Sequence, residues 1–303
     1  MLEKIIISIE MIIVILIGVA YITLSERKIM GYKQRRRGPN KVGVKGIIQP
    51  IIDGIKLMIK EIIIPSKSKK LTYIIGVTIT LILSIIIYIP IPIGNIEGVV
   101  SENKYSIIYI LAISSISGYI GIIIGNSSNS KYTIIGGIRI IAQVISYEVS
   151  LGIIIMSVVI GTNTLNLVEI EKNQIYIETI YSQIIMVGIM IISIIVETNR
   201  PPFDLSEAES ELVAGILTEY GGMGFAGLYL AEYGFIMSMS MLASILYLGT
   251  INYTIVIIYI FIWVRVALPR IRYDELLRMG WTKILPLSIG NIVLTLSTNV
   301  LLN

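Results

Sequence analysis

Eight long apolar stretches alternate with shorter polar segments along this chain of 303 residues. A helix that crosses a bilayer needs about 20 predominantly apolar residues, whereas a buried strand needs only about 4–8. Inside lipid a helix also satisfies its own backbone hydrogen bonds, which outweighs the strand preference of the abundant isoleucine. The pattern therefore predicts an all-α polytopic membrane protein, a single membrane domain over residues 1–303 with eight transmembrane helices. They are predicted at residues 5–24, 71–89, 106–125, 134–160, 180–196, 221–248, 251–268 and 284–302.

Residues 46–64, in the loop between the first two predicted spans, follow a different pattern. Apolar side chains recur there at helical spacing, and Asp53, Lys56 and Lys60 are interleaved with them. Such a segment is too polar to cross a bilayer but suits an amphipathic helix that lies in the membrane interface. We expect this helix either to anchor the loop or to form one wall of a cavity that opens to lipid.

The basic residues are distributed very unevenly between the two sides that eight spans would define. The loops after the first, third, fifth and seventh spans, with the adjoining helix ends, carry 21 of the 24 Lys and Arg residues. Because basic loops stay on the cytoplasmic side, this asymmetry predicts that the odd loops face the matrix or cytoplasm. Both termini are then expected on the opposite side of the membrane.

The sequence contains neither cysteine nor histidine. The chain can therefore hold no iron–sulfur cluster and no thiolate zinc site by itself, and it has no Ser–His triad or bis-His haem site. We expect no metal site. Proton chemistry in this chain must use carboxylates, tyrosine, lysine or water, because the usual carrier near neutral pH is missing.

Glu10, Arg139, Glu148 and Glu232 are among the charged residues inside predicted spans, where a charge costs about 2.5–3.5 kcal/mol on insertion scales. We interpret Glu148 and Glu232 as functional and Arg139 as an anchor near a helix end. Residues 197–219 form an acidic segment on the otherwise basic side. This segment is either a solvated surface that receives a basic partner protein or a set of groups that load protons.

Four stretches carry a specific family resemblance. They are ERKIMGYKQRRRGPNKVG at 26–43, SYEV at 146–149 with Arg139 before it, ETNRPPFDLSEAESELV at 197–213, and PRIRYD at 269–274 after Trp263. Their order and spacing resemble those of the quinone-site membrane subunit of respiratory complex I, the proton-pumping NADH:quinone oxidoreductase. The chain departs from that family at Asn126, where a tryptophan is usual, and at Ile216-Leu217, where Phe-Asn is frequent.

The resemblance implies roles for individual residues. It assigns to the quinone-binding cavity Arg27, Gln34, Arg36, Asp53 and Arg265. It assigns to a proton path Glu148, Glu197, Asp204, Glu207, Glu209, Glu219 and Glu232. It assigns structural or docking roles to Arg37, Arg139, Arg200, Arg270, Arg272 and Asp274.

The resemblance also implies the setting in which the chain acts. Ubiquinone is the expected substrate, whereas NADH, FMN and the iron–sulfur clusters are expected in partner subunits. The expected partners are the quinone-site subunits of the peripheral arm, antiporter-like and small membrane-arm subunits, and membrane lipids, without nucleic acid. The isoleucine bias and the lack of a targeting segment favour the mitochondrial inner membrane over a bacterial plasma membrane.

Three other functions are weighed against this one. A cation/proton antiporter that works alone would explain Glu148 and Glu232 but not the long basic first loop. A passive anchor for a soluble redox arm would explain the charged loops but not the carboxylates inside the membrane. A membrane subunit of a related hydrogenase could share some of the motifs without using quinone.

Overall fold

The computed structural model describes residues 2–93, 103–174, 183–205 and 214–302. The side chains of residues 2–8 and 299–302 are not described. Every regular element in the described part is helical, so the predicted all-α class is confirmed there. The eleven α-helices are α1 (Leu2–Lys33), α2 (Gln49–Ile59), α3 (Lys70–Ile86), α4 (Ser106–Ser127), α5 (Lys131–Thr162), α6 (Leu167–Gln174), α7 (Ile184–Glu197), α8 (Gly222–Leu248), α9 (Thr254–Ala267), α10 (Tyr273–Met279) and α11 (Leu285–Leu302).

Five described helical segments are long and apolar enough to cross a membrane. They are Ile9–Lys33, Ser106–Ser127, Lys131–Thr162, Gly222–Leu248 and Tyr273–Thr298. The segments Lys70–Ile86, Ile184–Glu197 and Ile251–Ala267 are also apolar but shorter. These eight segments coincide with the eight predicted apolar stretches, and residues 180–182 of the fifth stretch lie outside the described residues.

Several helix boundaries differ from those predicted, and the largest difference concerns α1. This helix continues to Lys33, nine residues past the predicted end at Leu24. The apolar pattern stops where lipid contact would stop, but a helix can continue in polar residues because its backbone bonds do not depend on hydropathy. The extension places Glu26 and Arg27 on a membrane helix rather than in a loop.

The second predicted span is also corrected. Helix α3 ends at Ile86 rather than at Ile89, and hydrogen-bonded turns carry the chain from there to Ile91. Pro90 lies within these turns and Pro92 follows them. The helix ends early because a residue before proline is disfavoured in the helical conformation. At the other end of the chain, the helical segment begins before the predicted start at residue 284. Helix α10 begins at Tyr273 and continues through a π-helical turn at Gly280–Ile284 into α11 without a break.

Helix α8 forms the centre of the molecule. Its residues 238–247 are buried on every side, as expected for a helix that is apolar all round. It packs against α1, α3, α7 and α9. Three serines in this stretch, Ser238, Ser240 and Ser244, each donate to a carbonyl three residues earlier, so their hydroxyl groups need no partner from another helix.

Helices α4 and α5 form the most extensive helix pair, and glycines permit their close approach. The cap of α5 is Ser130, whose hydroxyl accepts from the Thr133 amide. A Cβ atom at Gly125 would lie 2.5 Å from the Thr133 carbonyl oxygen, and one at Gly137 would lie 3.0 Å from the Gly121 carbonyl oxygen. Small residues at such crossings let membrane helices gain dispersion contacts that larger side chains would prevent.

The amphipathic segment forms a helix as predicted, although it is shorter than 46–64. Helix α2 spans Gln49–Ile59 and has no buried residue. Its apolar residues Ile51, Ile55, Met58 and Ile59 are exposed on the protein surface. An exposed apolar face of this kind fits contact with lipid acyl chains near the headgroups.

Candidate functional site

A buried cluster of charged residues joins α1, α8, α9 and the segment that follows α7. The carboxylate of Glu26 on α1 forms an ion pair with Arg265 on α9 and lies 3.7 Å from Arg200. It also accepts a hydrogen bond from the Tyr233 hydroxyl on α8. The Glu26 side chain is only 5% exposed, so its charge is stabilised by these neighbours rather than by water.

Arg200 extends the cluster from Glu26 to Glu232. Its Nε lies 2.8 Å from Oε1 of Glu232, and its side chain is 11% exposed. Its guanidinium also lies over the Tyr233 ring, 4.1 Å from the centroid. The planar fork of arginine can contact two carboxylates and an aromatic face at once, which the point charge of lysine cannot do.

Two cavities adjoin this cluster. The larger has a volume of about 150 Å³, and among the residues that line it are Glu197, Thr198, Glu232 and Leu217. The smaller, of about 20 Å³, is lined by residues that include Glu26, Arg200 and Arg265. Thr198 lines both cavities. The larger cavity can accommodate a few water molecules, and the polar side chains among its mainly apolar lining offer them hydrogen-bond partners.

Glu197, at the end of α7, has an oxygen that is unsatisfied in the described structure. Its Oε2 is buried and lacks a hydrogen-bond partner among the described residues. Glu148 on α5 lies close enough to interact electrostatically with Glu197. Glu148 itself is partly exposed, in an apolar surface groove between α5 and α11. Glu232, Glu197 and Glu148, here called the carboxylate route, therefore lead from the charged cluster through the larger cavity to the outside of α5.

The loop that carries Thr198 and Arg200 is held in place by Gln143. The Gln143 side chain is fully buried, and its Nε2 donates to the carbonyl oxygens of Val196 at 2.7 Å and Phe203 at 3.1 Å. These two bonds fix both ends of the segment between α7 and the following turn. Gln143, Ser146 and Ser150 lie along one face of α5, and all three are buried.

We expect Gln143→Leu to loosen this loop. The change removes one of the two donors to each carbonyl oxygen, because the amides of Asn199 and Leu205 continue to donate to them. We expect each lost hydrogen bond to cost about 0.5–1.5 kcal/mol. Thermal unfolding of the purified protein, followed by circular dichroism, should therefore occur at a lower temperature. The control is Asn126→Leu in α4, where the polar side chain is exposed. Equal stability of the Gln143 variant and the control would contradict the role of Gln143.

The residues predicted for the quinone cavity fall into three groups. Arg27 forms an ion pair of 2.6 Å with Asp53 of α2, whose other oxygen accepts from Gln49 at 2.9 Å. Arg36 donates to the side chain of Gln34 at 2.8 Å, and both are exposed. Arg265 belongs instead to the buried cluster with Glu26.

The remaining predicted residues lie around this centre. Asp204 is buried and lies 3.9 Å from Arg270, whereas Arg272 and Asp274 form an exposed pair at 3.4 Å. Arg37 is exposed, and Arg139 lies over the ring of Tyr273 at 5.8 Å. The side chain of Glu219 is partly exposed, and its backbone carbonyl accepts from Tyr73. Glu207 and Glu209 lie outside the described residues.

Glu26 and Tyr233 are the residues of the cluster that sequence reasoning did not assign to the site. A signal for Glu26 was present in the spacing of α1. The buried residues Ile15, Val19 and Ile22 recur every three or four positions, and Glu26 is the next member of that stripe. Continuing the helical periodicity beyond the apolar stretch would have predicted a buried carboxylate. Nothing in the sequence alone indicates which cations face it.

Comparisons with known proteins cover nearly the whole chain. The sequence model of the family described as NADH dehydrogenase matches residues 6–296. The chain is similar to NADH-ubiquinone oxidoreductase chain 1 of Dictyostelium citrinum, with 44% identity over 290 residues, 93% of this chain and 90% of that protein. It is similar to the protein of the same description from Cyanidium caldarium, with 44% identity over 307 residues, 95% of this chain and 89% of that protein. A bacterial relative is an NADH-quinone oxidoreductase subunit of Rickettsia rickettsii (strain Iowa), with 43% identity over 308 residues, 94% of this chain and 90% of that protein.

Proposed function

Since the chain belongs to the NADH dehydrogenase family and is a membrane subunit of NADH:quinone oxidoreductase, we propose that it forms part of the quinone-reduction cavity and couples quinone reduction to proton translocation. The peripheral arm supplies the electrons, because this chain has no cysteine or histidine to hold a redox centre. The quinone binds at the face that carries Arg27, Asp53 and Arg36. The proton path begins at the buried cluster behind that face.

The main support for this proposal is a continuous row of alternating arginine and glutamate side chains that runs from α9 to the larger cavity. Arg265 contacts Glu26, Glu26 lies beside Arg200, and Arg200 pairs with Glu232, which lines the cavity together with Glu197. In a buried series of this kind, a change of charge at one end alters the proton affinity of every member by Coulomb interaction. The series therefore provides a physical means of coupling two distant events.

The reaction would act on the series as follows. Reduction of a quinone places negative charge at the site until protons arrive, and that charge attracts Arg27 and Arg265. If the contact between Arg265 and Glu26 weakens, Arg200 has to neutralise more of the negative charge of Glu26. Arg200 then stabilises the ionised form of Glu232 less, which favours proton uptake by Glu232 from the cavity. The proton can pass through water to Glu197 and on to Glu148. Asp204 and Glu219 supply further carboxylates, and we include Glu207 and Glu209 because the family resemblance assigns them to the same path.

We propose that all eight apolar segments cross the membrane and that the odd loops lie on its matrix or cytoplasmic side. The clustering of the basic residues on one side supports this orientation. The shorter helices, such as α7, can cross if flanking residues complete the span or the bilayer thins locally. The named relatives include a bacterial protein, and we assign this chain to the mitochondrial inner membrane because of its isoleucine bias.

The names of the relatives favour this function over a cation/proton antiporter and over a membrane subunit of a hydrogenase. They describe oxidoreductases of NADH and ubiquinone or quinone, and neither hydrogenases nor antiporters. The partner subunits proposed here are those that such a reaction requires. A peripheral arm must bring electrons to the quinone. Antiporter-like membrane subunits must then translocate protons in response to quinone reduction.

We expect Glu232→Gln to uncouple the complex. The amide keeps the size of the side chain but cannot carry a proton, and a positioned proton-transfer group typically contributes about 10²–10⁴-fold in rate. In closed membrane vesicles, NADH-driven proton translocation should fall about tenfold or more. Oxidation of NADH by a soluble artificial acceptor, which reports only on the peripheral arm, should be unchanged.

The matched control is Glu10→Gln, which neutralises an exposed carboxylate on α1. This variant should pump and reduce quinone at the rates of the unmodified complex. Proton translocation at the unmodified rate in the Glu232 variant would refute the carboxylate route. A loss of acceptor-linked NADH oxidation as well would show that the variant had failed to assemble, in which case Glu232→Asp replaces it in the same assay.

A further inference from the structure

Two tyrosines outside the charged cluster form a tightly packed pair. The rings of Tyr73 on α3 and Tyr220, which precedes α8, are stacked with their centroids 4.2 Å apart and their planes 6° from parallel. Tyr73 is 2% exposed and Tyr220 is 5% exposed. Offset aromatic pairs of this kind contribute about 0.5–1.5 kcal/mol beyond the burial of their surface. The pair is therefore a rigid contact between two segments that are distant in sequence.

The hydroxyl groups of this pair extend the contact to two further elements. The Tyr73 hydroxyl donates to the backbone carbonyl of Glu219 at 2.8 Å. The Tyr220 hydroxyl shares a hydrogen bond of 2.9 Å with Ser127 and donates to the Ile124 carbonyl at 3.2 Å. Stacking and hydrogen bonds together join α3, the end of α4 and the 3-10 turn at Gly215–Glu219. We call these two residues the tyrosine clamp.

The turn held by the tyrosine clamp is one wall of the larger cavity. Ile216 and Leu217 line that cavity with Glu197 and Glu232, whereas neither clamp tyrosine is among its lining residues. The tyrosines thus have no access to the carboxylates and can influence them only through the position of the turn. Burial raises the pKa of Tyr220, so its phenol stays neutral and acts as a hydrogen-bonding group rather than as a proton carrier.

We infer that Tyr73 and Tyr220 are positioning residues that hold the Gly215–Glu219 turn against the cavity and so keep Glu232 and Glu197 connected within one small volume. This inference rests on the proposed function, because it assigns the cavity to the proton path. Without the clamp the turn can withdraw, and the cavity is no longer closed on that side. Coupling then falls although quinone binding is unaffected.

The experiment compares Tyr220→Phe and Tyr73→Phe in the assembled complex, with Tyr119→Phe as the control. Phenylalanine keeps the stacked ring and removes only the hydroxyl, which makes misfolding a small risk, and Tyr119 is exposed on α4. Ser127→Ala is a second variant that removes a partner of Tyr220 and leaves both tyrosines intact. All variants are normalised to the flavin content of the complex.

The first measurement is hydrogen exchange of a peptide that covers the turn. The amides of Leu217 and Tyr220 are bonded within it, to Ala214 and Leu217. Losing one hydrogen bond should increase local opening roughly fivefold, with a matching rise in the exchange rate. An unchanged exchange rate in both tyrosine variants would overturn the inference that the clamp holds the turn.

The second measurement is the ratio of protons translocated to electrons transferred, together with KM for quinone. We expect the ratio to fall in both tyrosine variants while KM stays the same, and Tyr119→Phe to change neither. Faster exchange with an unaltered ratio would overturn the positioning role. The Glu232→Gln result separates the two hypotheses: if that variant is uncoupled and the tyrosine variants are not, only the clamp inference fails.

Discussion

Arg200→Met is expected to prevent accumulation of the complex. Arg200 is the one described cation that contacts both Glu26 and Glu232, and all three side chains are largely buried. Removing one partner of a buried ion pair typically costs about 3–5 kcal/mol, because the remaining charge is left uncompensated. That is a large share of the stability of an ordinary domain. The amount of assembled complex, separated under native conditions and stained for NADH oxidation, measures the effect.

A double variant identifies the cause of this loss. Arg200→Met combined with Glu232→Gln removes the uncompensated carboxylate and should restore most of the assembled complex, although proton translocation should remain absent. Arg278→Met is the control, because it removes an exposed cation on α10 and should cost less than about 0.5 kcal/mol. If the double variant accumulates no better than the single one, an uncompensated charge is not the reason for the loss.

Gly125→Ala is expected to separate α4 from α5. The added Cβ would meet the Thr133 carbonyl oxygen at 2.5 Å, closer than such atoms approach, so the backbones must move apart. Overpacking of this kind costs about 1–3 kcal/mol. The movement also affects function, because α5 carries Gln143 and Glu148. We expect a lower temperature of irreversible inactivation and a lower rate of quinone reduction.

The matched control for this change is Gly152→Ala, on α5. A Cβ atom there has no neighbour within 4 Å, and alanine in a helix is favoured over glycine by about 0.8–1.0 kcal/mol. This variant should be at least as stable as the unmodified complex. The explanation by close helix approach fails if the two alanine variants lose stability to the same extent.

The apolar helices were predictable from the sequence because a segment meant for lipid must meet one strong condition, a long apolar stretch that satisfies its own backbone. The end of α1 was not, because the helix continues beyond Leu24 in polar residues, and hydropathy does not distinguish such a continuation from a loop. For the same reason the buried position of Glu26 was not predicted. The spacing of the buried residues on α1 would have indicated it only if the predicted helix had continued beyond Leu24. For α3, by contrast, the proline-rich residues at 90–92 were a visible reason to end the helix early.

The site was predictable in its residue types but not in its contacts. Composition left carboxylates as the main groups for proton transfer, and two of them, Glu148 and Glu232, stood out because charges inside a span are costly. The family resemblance supplied Arg200, Arg265 and Glu197. The partners of these residues depend on how helices far apart in sequence pack, as with Glu26 on α1 and Arg265 on α9. Local patterns carry no information about such pairs.

The charges within the spans also determine where the membrane voltage falls. From Glu232, α8 continues outward for about 24 Å of helix without another carboxylate or cation, and α5 beyond Glu148 and α7 before Glu197 are equally uncharged. In the orientation proposed here, most of the electric field acts across this outer region. Moving one charge through 100 mV requires about 2.3 kcal/mol. A proton that reaches Glu232 from the inner side has crossed only a small part of the membrane potential. Protonation of the carboxylate route should therefore respond weakly to voltage.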